Sequence, residues 1–262
     1  MGLGRYSVLP NGENLVRSLA RFAAVLACAG LLCCLGACRE EDDDSTVDDG
    51  QDVDAMMGDR KGERLASSLE GYIDLMIDRV RADKKLAELD PSGEATLRMV
   101  GTLERARKNG GVSLSDYENA WSDYRQCMLD RGYKEIVLLR QSNGVYTEAS
   151  HKAGTAAQES SYNQDMLACS VLHVGYIDAV YMVQVSNPDL YANIYEGALD
   201  CLRRNGLVPK GYSMEDFRYD LYEAPSREDL KVDIYSYPVA SCLVGNNIKV
   251  IYDGAPVEDL YG

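Results

Sequence analysis

From Leu65 to Val80 the apolar positions Leu65, Leu69, Ile73, Met76, Ile77 and Val80 fall three and four residues apart, which predicts an amphipathic helix with one buried stripe. Asp90 followed by Pro91 predicts a break and a new start, because proline is tolerated in a first helical turn. The next helical stretch, "GEATLRMVGTLERARK", runs into "NGG", where Gly110 or Gly111 can take the left-handed cap. Ser115 and Glu118 in "SDYE" have the spacing of a capping box, and the helix they open, "DYENAWSDYRQCMLDRG", ends at Gly132. In "YKEIVLLRQSNGVYT", β-branched and aromatic residues surround Asn143 and Gly144, which predicts a short hairpin with a tight turn. A long helix is expected from about Ala156 to Val185, broken by "SNP", and another up to about Asn205, stopped by Gly206. The remainder is tyrosine-rich and irregular, with strands expected at "KVDIYSY" and "IKVIY". The pattern predicts a mainly α fold with short β-hairpins.

The amino terminus obeys a different rule. Residues 1–21 hold Arg5, Arg17 and Arg21 against Glu13, and the next seventeen, "FAAVLACAGLLCCLGAC", carry no charge. Basic, then apolar, then small residues describe a secretory signal. Seventeen residues is the lower limit for crossing a hydrocarbon layer of about 30 Å, so a retained anchor is the competing reading, and the small residues at its end argue against it. Leu35, Gly36, Ala37 and Cys38 resemble the lipobox of bacterial lipoproteins. That resemblance implies a lipid on the Cys38 thiol, removal of residues 1–37 with Cys28, Cys33 and Cys34, and residence on the outer face of the cytoplasmic membrane. Two acyl chains of roughly 15 methylenes at about 0.8 kcal/mol each would give a gross term near 24 kcal/mol, an effectively permanent anchor.

Charge extends the picture. The chain carries a net −15, and its first 38 residues contribute three of the basic side chains and one of the acids, so the rest of the chain is more acidic still. Such a body argues against nucleic acid and anionic lipid headgroups as partners. Ten acids fall within "REEDDDSTVDDGQDVDAMMGDR", which has almost nothing to bury and is expected to be a solvated tether over 38–61, reaching roughly 25 Å. Calcium is the sharper alternative there, but Gly50 and Gly58 lack aspartates at the offsets of an EF-hand loop. The folded body is expected from Gly62, as a helical hairpin over 62–110 and two cysteine modules over 111–186 and 187–262.

The modules come from an internal comparison. "WSDYRQCMLDRGY" and "YEGALDCLRRNGL" align on an aromatic six residues before a cysteine (Trp121, Tyr195) and a glycine five after it (Gly132, Gly206). Cys127 is followed by Cys169 and Cys201 by Cys242, and each downstream cysteine has a tyrosine seven residues earlier, Tyr162 and Tyr235. In an oxidising compartment four cysteines form two bridges with three possible connectivities, and the repeat selects Cys127–Cys169 and Cys201–Cys242. Zinc is the competing use of four cysteines, but it calls for ligand pairs two to four residues apart, which these are not. The region from about 110 to 245 also resembles a loose group of actinobacterial secreted and lipid-anchored proteins of no defined activity, through "YENA", the Cys127 to Gly132 spacing, Asn187-Pro188 and "CLRRNG".

Catalytic signatures are scarce. His151, in a loop beside Lys152, is expected to be solvated, and His173, in the apolar "SVLHVGYIDAVYM", to be packed and hydrogen-bonded. Nucleophile elbows, phosphate loops and zinc-protease motifs do not occur, so no metal, cofactor or catalytic residue is assigned. Tyrosine is the compositional oddity, 18 against two phenylalanines. Tyr212, Tyr219, Tyr222, Tyr235 and Tyr237 form a candidate binding face for an envelope protein or glycan, the plainer reading being half-buried packing. The sequence therefore leads to a non-enzymatic surface lipoprotein that binds or scaffolds at the envelope. A transporter-linked solute receptor and an envelope hydrolase are the alternatives, the latter needing paired carboxylates in a cleft.

Overall fold

A computed structural model describes residues 56–261; Cys38, the signal segment and most of the acidic tether lie outside them. Ser68 opens α1 (Leu69–Ala82) by accepting the Gly71 amide, and the expected stripe buries Ile73, Met76, Ile77 and Val80. Asp83 ends α1 and accepts the amides of Lys85 and Leu86, which starts the short α2 (Lys84–Leu89). Asp90 then reaches over the turn to accept the Ala95 amide at 2.6 Å. Pro91 therefore stands in the connecting turn, and the first turn of α3 (Glu94–Asn109) begins only after Gly93 at φ 75°. α3 ends at Gly110, as its "NGG" signal implied.

The next helix, α4 (Leu114–Asp130), starts two residues before its expected box. Ser113 caps it, accepting the Asp116 amide at 3.1 Å, because Ser113 and Asp116 offer the same spacing two residues earlier than Ser115 and Glu118. The hairpin forms from β1 (Leu138–Arg140) and β2 (Tyr146–Glu148), antiparallel with Leu138 opposite Glu148. After it, β3 (Ser150–His151) pairs in parallel with β4 (Val257–Glu258), more than a hundred residues downstream. No local pattern announces a pairing of two-residue strands.

The expected long helix is α5 (Ala156–Cys169) and α6 (Gly175–Ser186) joined by a π-helical turn, Ser170–Val174. The 31-residue stretch is apolar and long enough to cross a membrane, yet half of its most apolar window is buried inside the protein. α7 (Ile194–Arg204) comes next and stops at Gly206, whose φ of 65° suits glycine. Beyond it, α8 (Met214–Arg218), a second π turn (Tyr219–Glu223) and α9 (Tyr237–Val244) replace the irregular remainder.

Neither expected strand forms there. In "KVDIYSY", the carboxylate of Asp220 takes the amides of Lys231 and Val232 at 2.8 and 3.0 Å, so a side chain satisfies the backbone where a ladder would have. The last tyrosine, Tyr237, already belongs to α9, with Pro238 in its first turn. "IKVIY" forms no strand among the described residues, with Ile248 alone an isolated bridge residue.

Two hydrophobic clusters result. The first gathers Ile73, Leu86, Leu103, Tyr117 and Met128 around α6, and each such fully buried aliphatic side chain contributes about 1.5–3 kcal/mol of transfer free energy. The second gathers Tyr195, Leu202, Phe217, Ile234 and Leu243. Each holds one bridge: Cys127–Cys169 and Cys201–Cys242, both with Cα atoms 5.7 Å apart. Two segments, one before α1 and one after α9, cross between them. Met57, upstream of the expected Gly62 start, is buried in the second cluster, while Leu260 is buried in the first.

Candidate functional site

The hairpin tip lies where the two clusters meet. Asn143 donates to Ser186 Oγ at the end of α6 (3.0 Å) and to the Ser241 carbonyl in α9 (2.6 Å). The Ser142 amide donates to Ser241 Oγ, and the Tyr237 hydroxyl to the Arg140 carbonyl at 2.5 Å. Gly144 makes this possible: its φ is +87°, and a Cβ there would stand 3.2 Å from the Tyr181 hydroxyl. Beside the tip is an open cleft of about 430 Å³, lined by Arg140, Gln141, Ser142, Asn143, Tyr181 and Tyr237. Its walls are mostly polar, the Tyr237 ring is exposed, and Tyr181 forms the floor. A larger open groove of about 600 Å³ runs beside Gly206, Leu207 and Val239 in the second cluster, with no aromatic ring in its lining.

Beneath the floor the polarity is buried. Tyr181 stacks on Tyr117 with ring centroids 3.8 Å apart. The Tyr117 hydroxyl donates to Asp178 Oδ1 at 2.7 Å, the Trp121 indole donates to the same oxygen at 3.2 Å, and the Tyr146 amide donates to the Tyr117 oxygen. Burial pushes the Asp178 carboxyl up to about 6 against these two donors, which favour its charged form. The same burial, reinforced by Asp178, raises Tyr117 far above the ordinary phenol range. This cage supports the cleft without opening into it.

A second carboxyl cluster sits under β3 and β4. Tyr162 donates to Glu148 Oε2 at 2.8 Å, and the Val137 amide donates to Glu258 Oε2 at 2.8 Å. The other oxygen of each, Oε1, is buried without a hydrogen-bond partner among the described residues. His151 is not solvated as expected: strand pairing draws it inward, with Nε2 3.0 Å from Glu159 and its ring edge-on to Tyr162. His173 is half-buried against Arg98, and burial followed by that cation lowers its pKa.

The five tyrosines singled out from the sequence do not make one face. Tyr212 is 6% exposed and donates to Asp220 at 2.5 Å, and the Tyr222 hydroxyl meets that of Tyr195 at 2.7 Å. Tyr219 and Tyr235 are half-buried under the cations of Lys231 and Arg227. Tyr237 is the exposed one, and it belongs to the cleft. Sequence reasoning misses Arg140, Asn143 and Tyr181 as site residues because only the tertiary contact with α9 brings them beside it. Asn143-Gly144 announces its turn alone. Among the described residues no group of three or more acids, histidines or cysteines is placed to hold a metal ion.

No protein-family model matches this chain, and no curated protein or solved structure matches it significantly.

Proposed function

We propose that this chain is an exported, lipid-anchored envelope protein that binds without catalysing a reaction, and that it holds a polar, glycan-type ligand in the cleft at the hairpin tip. The observation that carries the reading is the exposed Tyr237 ring set beside the exposed side chains of Arg140 and Ser142, on backbone pinned from both sides. A flat ring next to a guanidinium and a hydroxyl suits sugar faces and hydroxyls. Export is supported by the lipobox-like "LGAC" and by two bridges closed inside the cores, chemistry that persists in oxidising compartments.

The alternatives have less behind them. A solute receptor of the two-lobed kind would enclose its ligand between α/β halves, whereas this cleft is open and its surroundings are mainly helical. A hydrolase would draw on Glu148 and Glu258, whose free oxygens are shut away from solvent.

Two measurements test the proposal. Radiolabelled palmitate should enter the wild-type protein and not Cys38→Ser, and the isolated mature chain should begin at a modified Cys38. Purified envelope glycan should retain the wild-type body at least tenfold better than Tyr237→Ala or Arg140→Ala proteins that melt at the wild-type temperature. A mature protein that keeps Met1 would overturn the anchor, and equal retention of wild type and both variants would overturn the site.

A further inference from the structure

The segment 257–261 is held onto the first cluster by few contacts, and one of them titrates. β4 contributes two residues of strand, the Lys152 amide donates to the Glu258 carbonyl at 2.9 Å, Lys152 pairs with Asp259 at 3.0 Å, and Leu260 is buried. At the centre lies the Glu258 side chain, 5% exposed, under residues from four other elements. The Val137 amide donates to it from the loop before β1, and the charges or hydroxyls of Glu148 on β2, His151 on β3, Tyr124 on α4, Tyr162 on α5 and Glu135 act on it. Tyr261 on its own segment packs edge-on to His151, Glu159 from α5 holds His151 from the far side, and Lys249 acts on Glu148.

Two buried glutamates thus act on one another, each with an Oε1 that has no hydrogen-bond partner among the described residues, while Tyr162 and Tyr124 favour the charged form of Glu148 against its burial. A charged carboxylate oxygen buried without a donor is costly, and a second carboxylate acting on it makes it costlier. A proton removes both problems, as it supplies a donor and cancels one charge. We infer that Glu258 and Glu148 form a proton-dependent latch, which holds the 257–261 segment on the first cluster when a proton is shared between them and lets it go when both ionise.

Linkage sets the sign. Burial, then the Glu148 charge, pushes the docked Glu258 carboxyl up to about 7, and burial raises Glu148 as well. A released Glu258 would titrate near the ordinary glutamate value of about 4.3. The docked state therefore holds a proton that the released state lacks between those limits. Docking weakens as pH rises through that window, by up to about tenfold per pH unit for one proton, and levels off above about 7. Release would uncover the edge of β3 and the faces of His151 and Tyr162.

Hydrogen exchange on the intact mature protein tests this directly. After correction for intrinsic exchange, protection of the Lys152 amide should fall at least tenfold between pH 5 and 7.5, while amides of the β1–β2 hairpin such as Gln141 hold steady. Glu258→Gln keeps an acceptor for Val137 but cannot ionise, so its Lys152 protection should be flat across the same range. Glu148→Gln, which removes the neighbouring charge and leaves the burial, should reduce the slope if Glu258→Gln proves too unstable to study. Wild-type protection at Lys152 that does not change with pH, or an unchanged slope in either variant, would overturn the latch.

Discussion

Gly144 meets two demands at one position: its φ is +87°, and a methyl group would crowd the Tyr181 hydroxyl at 3.2 Å. Gly144→Ala should therefore lower stability by about 1–2 kcal/mol, measured by denaturant unfolding, and should loosen the cleft with it. Asn143-Gly144 was legible as a turn because its chemistry is local; the contact with Tyr181 was not, since it is made far along the chain. Asp178 was invisible for the same reason. Its carboxyl, raised by burial to about 6, binds a proton in the folded state between about pH 4 and 6 that the unfolded chain has lost. Stability should accordingly decline as pH rises through that window, by about 2 kcal/mol for this group alone. Asp178→Asn keeps an oxygen for Tyr117 and Trp121, and unfolding midpoints taken from pH 4 to 6.5 should show that part of the decline gone.

Among the elements, those coded by neighbouring residues were legible and those coded at a distance were not. The stripe on α1, the glycine stops after α3, α4 and α7, and the hairpin all come from chemistry within a turn or two. The strand expected at 231–237 failed because Asp220 and Pro238 decide the local backbone, the stretch 248–252 forms no strand among the described residues, and the partner of β3 lies at 257–258. The cysteine spacing is the exception, a distant feature that two matching intervals made readable. Both bridges link the helix stopped by Gly132 or Gly206 to one much later in the chain, across 42 and 41 residues. Loop closure on that scale corresponds to roughly 4 kcal/mol in the chain-entropy account, and native bridges of small exported domains typically contribute about 2–5 kcal/mol. Replacing Cys201 and Cys242 together by alanine should cost about that much by denaturant unfolding. Tryptic mapping without reductant should join the Cys127 peptide to that of Cys169, and a peptide joining Cys127 to Cys201 would contradict the fold.

At the scale of the molecule the two clusters are stitched rather than strung. Asn143 bonds to α6 and α9 at once, Arg204 of α7 donates to the Ser186 carbonyl, and Gly245 lies so close to Ser186 that a Cβ would meet its Oγ at 2.1 Å. Met57 and Leu260 complete the cross-stitch. Calorimetry of the oxidised protein should give one cooperative transition, with calorimetric and van't Hoff enthalpies in agreement. A body cut to begin at Gly62 should melt several degrees lower through loss of the Met57 side chain.

The crossing of these two segments also sets a timetable for the newborn chain. Since the first cluster needs Leu260, it stays unfinished while residues 190–256 are made and moved, and the second needs a segment that left the ribosome before either. Maturation is therefore back-loaded: hydrophobic surface of the first cluster stays uncovered until residue 260 has emerged, which places a premium on a chaperone or holding factor that masks it meanwhile.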